Sequence, residues 1–201
     1  MNRINKPSSA FALLFAGALA LAGCNAAAPE AEPPLAGATI GGDFALTASD
    51  GRTVRWGDFA GKYRIVYFGY AFCPDVCPTD MQRVAQGLKL LKASDPDLAA
   101  KIQPIFITID PTRDTQKVVG EFAAAFSPDI IGLTGTPEQI DATAKTFKIF
   151  YAKGAPVEGG GYLVDHSNIV YLFGPAGEPL ATLPVDQGGA AVAAELGKWV
   201  K

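Results

Sequence analysis

Two stretches dense in β-branched and aromatic residues, Arg64 to Tyr70 and Gln103 to Ile109, constrain this chain most. Each is a short, near-continuous apolar run, the mark of a strand buried on both faces. Each is followed by residues at helical spacing. After the first, Met81, Val84, Ala85, Leu88 and Leu91 recur on one helix face, and Pro78 suits a first helical position. Asp110-Pro111 stops the second strand, and Val118, Val119, Phe122 and Phe126 mark a second helix. Thr136-Pro137-Glu138 opens a third, with Ile140, Ala144 and Phe147 on one side. Strands alternating with helices in this way predict an α/β core.

The flanking segments complete the pattern. Phe44-Ala45-Leu46 and Thr53-Val54 flank Asp50-Gly51 and read as an N-terminal β-hairpin. Phe150-Tyr151 and Tyr162-Leu163-Val164 flank a glycine-rich loop. Ile169 to Phe173 is another strand, Leu180 to Leu183 its hairpin partner, and Ala190 to Val200 a closing helix. The expected fold is a central mixed sheet flanked by helices, in the element order of thioredoxin-like folds.

The N-terminus predicts the compartment. Arg3 and Lys6 precede a short apolar run from Phe11 to Leu21, which ends in Leu21-Ala22-Gly23-Cys24. That layout is a secretory signal, too short for an ordinary spanning helix. The ending resembles a bacterial lipobox, which implies lipidation of Cys24 and a signal peptide over residues 1–23. Residues 24–40, with Pro29, Pro33 and Pro34 among alanines, read as a linker. Residues 41–201, roughly 160 positions, have the size of one domain. The protein is expected in the cell envelope, lipid-anchored to a membrane and facing the periplasm. With a net charge of -3 and no Lys/Arg cluster, nucleic acid is excluded as a partner.

With Cys24 assigned to the signal, Cys73 and Cys77 remain of the three cysteines. In an oxidising compartment such a pair is usually a structural disulfide. This pair, however, sits where the first core strand gives way to a helix. Functional groups of open α/β sheets gather at the carboxyl ends of strands, and a helix N-terminus favours thiolate. A purely structural disulfide has no need of that place. Spaced by three residues, and stiffened by Pro74 and Pro78, the sulfurs can bridge one soft metal ion or form a disulfide.

His166 is the only histidine. It lies just before a core strand, in Val164-Asp165-His166-Ser167-Asn168. In thioredoxin-like folds the loop before this strand faces the cysteine turn. A Ser-His-Asp triad is excluded because adjacent side chains of an extended segment point to opposite faces. Two thiolates and one imidazole form a soft set that suits copper, above all Cu(I); zinc would accept the same set.

At this point the sequence resembles the Sco/SenC copper chaperones of cytochrome c oxidase assembly. Three stretches carry the resemblance: Gly69-Tyr70-Ala71-Phe72-Cys73-Pro74-Asp75-Val76-Cys77-Pro78; Thr108-Ile109-Asp110-Pro111-Thr112-Arg113-Asp114-Thr115, with Gly132-Leu133-Thr134-Gly135 beyond it; and Asp165-His166-Ser167 leading to Tyr171-Leu172. They span the domain in family order. The resemblance implies a thioredoxin-like fold and one copper ion, Cu(I) or Cu(II), held by Cys73, Cys77 and His166. It also implies delivery of copper to the binuclear site of oxidase subunit II, or reduction of that site's thiols. Other periplasmic copper carriers or thiol reductants are expected as further partners. Ala71 stands where Thr is common in the family, and Gln116 where Pro is common.

Asp110 and Asp114 match the family's acidic motif, yet as sequence they read first as structural: Asp110 closes a strand, and Asp114 or Thr115 caps the next helix. Asp75 has two readings, tuning the thiols or meeting the client on one side and plain turn polarity on the other. Gly159-Gly160-Gly161 is no phosphate loop, since no Gly-Lys-Ser/Thr follows; it is expected to let the segment before His166 move. A metallochaperone, rather than an enzyme, is the expected class. A thiol-disulfide oxidoreductase using the redox pair Cys73 and Cys77 is the alternative. A peroxiredoxin-type peroxidase is disfavoured because Tyr70 occupies the position where that family carries Thr.

Overall fold

The computed structural model describes Met1, residues 31–157 and residues 159–201. The signal segment, Cys24 and the first part of the Pro/Ala-rich stretch lie outside the described residues. Residues 32–201 form one compact unit. Among the described residues no helix is long and apolar enough to cross a membrane.

The strands are β1 (Ala45–Ala48), β2 (Thr53–Arg55), β3 (Tyr63–Gly69), β4 (Ile102–Thr108), β5 (Ile131–Thr134), β6 (Tyr151–Pro156), β7 (Tyr162–His166), β8 (Val170–Phe173) and β9 (Pro179–Thr182). The helices are α1 (Val76–Ser94), α2 (Pro96–Ala100), α3 (Gln116–Ala124), α4 (Pro137–Thr146) and α5 (Gly189–Trp199). Seven strands form a mixed sheet in the order β2-β1-β5-β4-β3-β8-β9. β3, β4 and β5 run parallel; the remaining pairings are antiparallel. Every residue of β3 is buried, as a central strand covered on both faces requires. This is the thioredoxin-like α/β arrangement.

Two elements escape a reading of the sequence. β5 is missed because Gly132 weakens its strand signal. The glycine is required there: a Cβ on it would lie 2.5 Å from the Val119 carbonyl oxygen of α3. The single turn of α2 is too short for periodicity to register. α1 also begins two residues before Pro78, which occupies the third helical position, where an amide has no intrahelical acceptor to lose. Leu35 donates its amide to the Leu180 carbonyl, so the end of the Pro/Ala-rich stretch rests on the domain.

β6 and β7 form a separate two-stranded ribbon. Its turn is made by Gly159, Gly160 and Gly161, all at φ between 85 and 94°, which a side chain would strain. These glycines therefore build the ribbon's turn. His166 is the last residue of β7 rather than part of a loop, paired across the ribbon with Tyr151.

Candidate metal centre

The cysteines are placed by the end of β3. Gly69 closes that strand, the Cys73 amide bonds back to the Tyr70 carbonyl at 3.1 Å, and α1 starts at Val76. Cys77 thus lies in the first helical turn, whose amides lack helical acceptors. Its N–H points at Cys73 Sγ, 3.5 Å away. Both cysteines are buried and unbridged, Cys77 completely. Burial pushes the Cys77 thiol well above its usual range, so it holds its proton until something displaces it.

The ribbon brings the histidine. His166 Nδ1 lies 2.9 Å from the Ser167 carbonyl oxygen. A carbonyl only accepts, so Nδ1 donates there and Nε2 is the ring nitrogen left to face the thiols. Nε2 lies 3.3 Å from Cys77 Sγ. The ligand atoms of Cys73, Cys77 and His166 all lie within 4.8 Å of one another, a group that fits one metal ion. Asp165 is exposed, and Ser167 Oγ accepts from the Phe150 amide instead of meeting the imidazole. No triad forms.

Tyrosines wall the site. Tyr70 and Tyr67 set their ring centroids 5.9 and 6.4 Å from the imidazole, both edge-on. Tyr70 Oη accepts from the Val164 amide on β7, and Tyr67 Oη donates to Asp80 Oδ2 at 3.2 Å. Burial raises the pKa of both phenols and of the Asp80 carboxyl. Neither tyrosine nor Asp80 stands out in the sequence; a buried strand explains the first two as core.

The acidic motif is where the expectation needs correction. Thr115, not Asp114, caps α3, accepting from the Val118 amide. Asp114 is fully buried and faces the other way. Its Oδ2 accepts from the Ala71 amide at 2.8 Å and from Thr108 Oγ1 at 2.7 Å, so it fastens the cysteine turn to the end of β4. Asp110 accepts from Arg113 and from the Tyr162 hydroxyl of the ribbon. Through these bonds they brace the two halves of the ligand set. Sequence spacing cannot reveal this, because the partners lie 43 and 52 positions away.

This thioredoxin-like domain gathers two thiols and an imidazole at the carboxyl end of its central strands, a donor set suited to a soft metal ion. The chain belongs to the SCO1/SenC family, whose profile matches residues 32–201. It is 39% identical to the human mitochondrial protein SCO1 homolog over 141 residues, covering 69% of this chain and 46% of that one. Against protein SenC of Rhodobacter capsulatus it is 46% identical over 140 residues, covering 70% and 61%. The match thus spans about half the length of several curated relatives. Bradyrhizobium japonicum ScoI, solved with copper bound, superposes with a TM-score of 0.71 at 31% identity, covering 80% of this chain and 99% of that one.

Proposed function

We propose that this chain is a copper carrier of the cell envelope, holding one copper ion through Cys73, Cys77 and His166. The observation that carries the reading is the imidazole Nε2 aimed at a buried thiol beside a second thiol. Two sulfurs and one nitrogen make a three-coordinate soft site suited to Cu(I). On loading, copper displaces the thiol protons, and each sulfur becomes a thiolate ligand. The same proposal includes delivery to the binuclear copper site of cytochrome c oxidase subunit II, on the strength of the family resemblance, and a lipid anchor at Cys24, on the strength of the lipobox-like Leu21-Ala22-Gly23-Cys24.

A thiol-disulfide oxidoreductase would use the same sulfurs. It has no use for an imidazole held against the more deeply buried cysteine. His166→Ala separates the two. Reduced protein should lose copper affinity in a titration against a competing chelator, and its Cu(II) spectrum should change. Thiol-disulfide exchange and folding should persist. Unchanged copper affinity in the variant removes His166 as a ligand and favours the oxidoreductase.

A further inference from the structure

The ligand set is divided between two pieces of backbone. Cys73 and Cys77 ride on the turn from β3 into α1; His166 ends β7, whose only strand partner among the described residues is β6. No ladder of the main sheet fixes the imidazole against the sulfurs. Side chains do it instead. Alternate residues of a strand share a face, so Tyr162, Val164 and His166 turn the same way. Val164 is held by Tyr70. Tyr162 is held twice: its hydroxyl donates to Asp110 Oδ1 at 2.8 Å, and its carbonyl accepts from Arg113 Nη1 at 2.9 Å. Arg113 Nε closes the ring of contacts by donating to Asp110 Oδ2. The guanidinium carbon also lies 3.7 Å from the Tyr162 ring centroid, 5.2 Å from that of Phe72 and 5.5 Å from that of Tyr70. One side chain therefore touches the ribbon, the acidic loop and the cysteine turn.

We propose that Arg113 is a positioning residue for the third metal ligand. By clasping Tyr162 to Asp110 it fixes the place and tilt at which β7 presents His166 Nε2 to Cys77. Tyr162 is four residues upstream of His166, roughly 13 Å along the strand, so slack at the clasp moves the imidazole. The thiols are held separately, by the strand end, the first turn of α1 and the Asp114 bond to Ala71. The inference rests on the copper reading above, and the experiment keeps the two apart.

Cu(I) affinity is measured by chelator competition on the reduced full chain for wild type, Arg113→Ala, His166→Ala and the double variant. Arg113→Ala should weaken binding by about tenfold, as loss of a residue that orients a ligand does. In the His166→Ala background the same change should matter by less than about twofold, the scatter of independent sites. Tyr162→Phe, which loses only the hydroxyl bond to Asp110, should show a smaller loss that also vanishes without His166; it carries the test if Arg113→Ala does not fold. An equal loss in both backgrounds, or no loss in either, overturns the proposal. A second readout needs no metal. His166 is the sole histidine, so its ring nitrogen and proton resonances are unambiguous. They should shift and broaden in Arg113→Ala while the core amides stay in place; unchanged ring signals overturn the clasp even in a chain that binds no copper.

Discussion

Asp114→Ala is the most informative single change outside the ligands. The carboxylate is fully buried, and its Oδ2 is the acceptor for two donors, the Ala71 amide and the Thr108 hydroxyl. Truncation strands both. A buried donor left without an acceptor costs about 1–3 kcal/mol, and the Ala71 end is only partly buried, so we expect about 3 kcal/mol in total. For a domain of this size that is a fall in Tm of about 6–12 °C. A cap residue would cost about 1 kcal/mol instead. Urea unfolding of reduced protein gives the number, and a loss below about 1 kcal/mol refutes the bracing role. Asp114→Asn keeps an acceptor and should cost less. It also removes a titration. Burial raises the Asp114 carboxyl above its usual range, so the folded state holds this proton more tightly than the unfolded chain. That contribution is complete below about pH 4 and is lost as pH rises through the folded pKa. The Asn variant should lack this component of the pH dependence of stability.

Three further outcomes are expected. Oxidising Cys73 and Cys77 to a disulfide should abolish Cu(I) binding, since no thiolate remains, while the circular dichroism stays native; stoichiometric Cu(I) on oxidised protein contradicts the ligand assignment. In Gly69→Ala the new Cβ would meet Cys77 Sγ at 3.0 Å and Phe106 at 3.1 Å, so stability should fall by about 1–3 kcal/mol with weaker copper binding; a neutral result in both assays shows that the strand end can yield. Cys24→Ala should give a chain that the lipoprotein pathway leaves uncleaved and that carries no acyl group, checked by mass spectrometry; an unlipidated wild-type N-terminus elsewhere removes the anchor.

Much of this was legible because its signals are local. The buried runs of β3 and β4 and the helical spacings of α1, α3 and α4 come from residues within one element. The cysteine turn was legible too, since a strand end and a helix start meet there. β5 was not, because its glycine answers to the α3 backbone packed on it, a contact no window of sequence contains. The braces were missed for the same reason. Arg113 and Tyr162 look like ordinary loop and strand residues, and Asp114 like a helix cap, until the ribbon folds over the cysteine turn. His166 fell between the two cases: scarcity and its place singled it out, while the contact of its Nδ1 with the neighbouring Ser167 carbonyl shows only in three dimensions.

The division of the ligand set bears on how such a site would release its metal. Cys77 is sealed in the core at the start of a 19-residue helix, and moving it means disturbing α1. His166 is only half-buried and belongs to a ribbon joined to the body by side chains rather than by a sheet ladder. The cheaper displacement is therefore of the imidazole. Cys73, with 8% of its surface exposed, is the sulfur an acceptor can reach. Phe72 and Val76 beside it are exposed apolar side chains, giving an approaching protein something to pack against. On the proposed function, an acceptor thiolate would replace His166 first and Cys73 next, leaving the bond to Cys77 until last. That order follows from burial and backbone attachment alone, and it makes the ribbon, not the cysteine turn, the element whose stability sets how readily copper leaves.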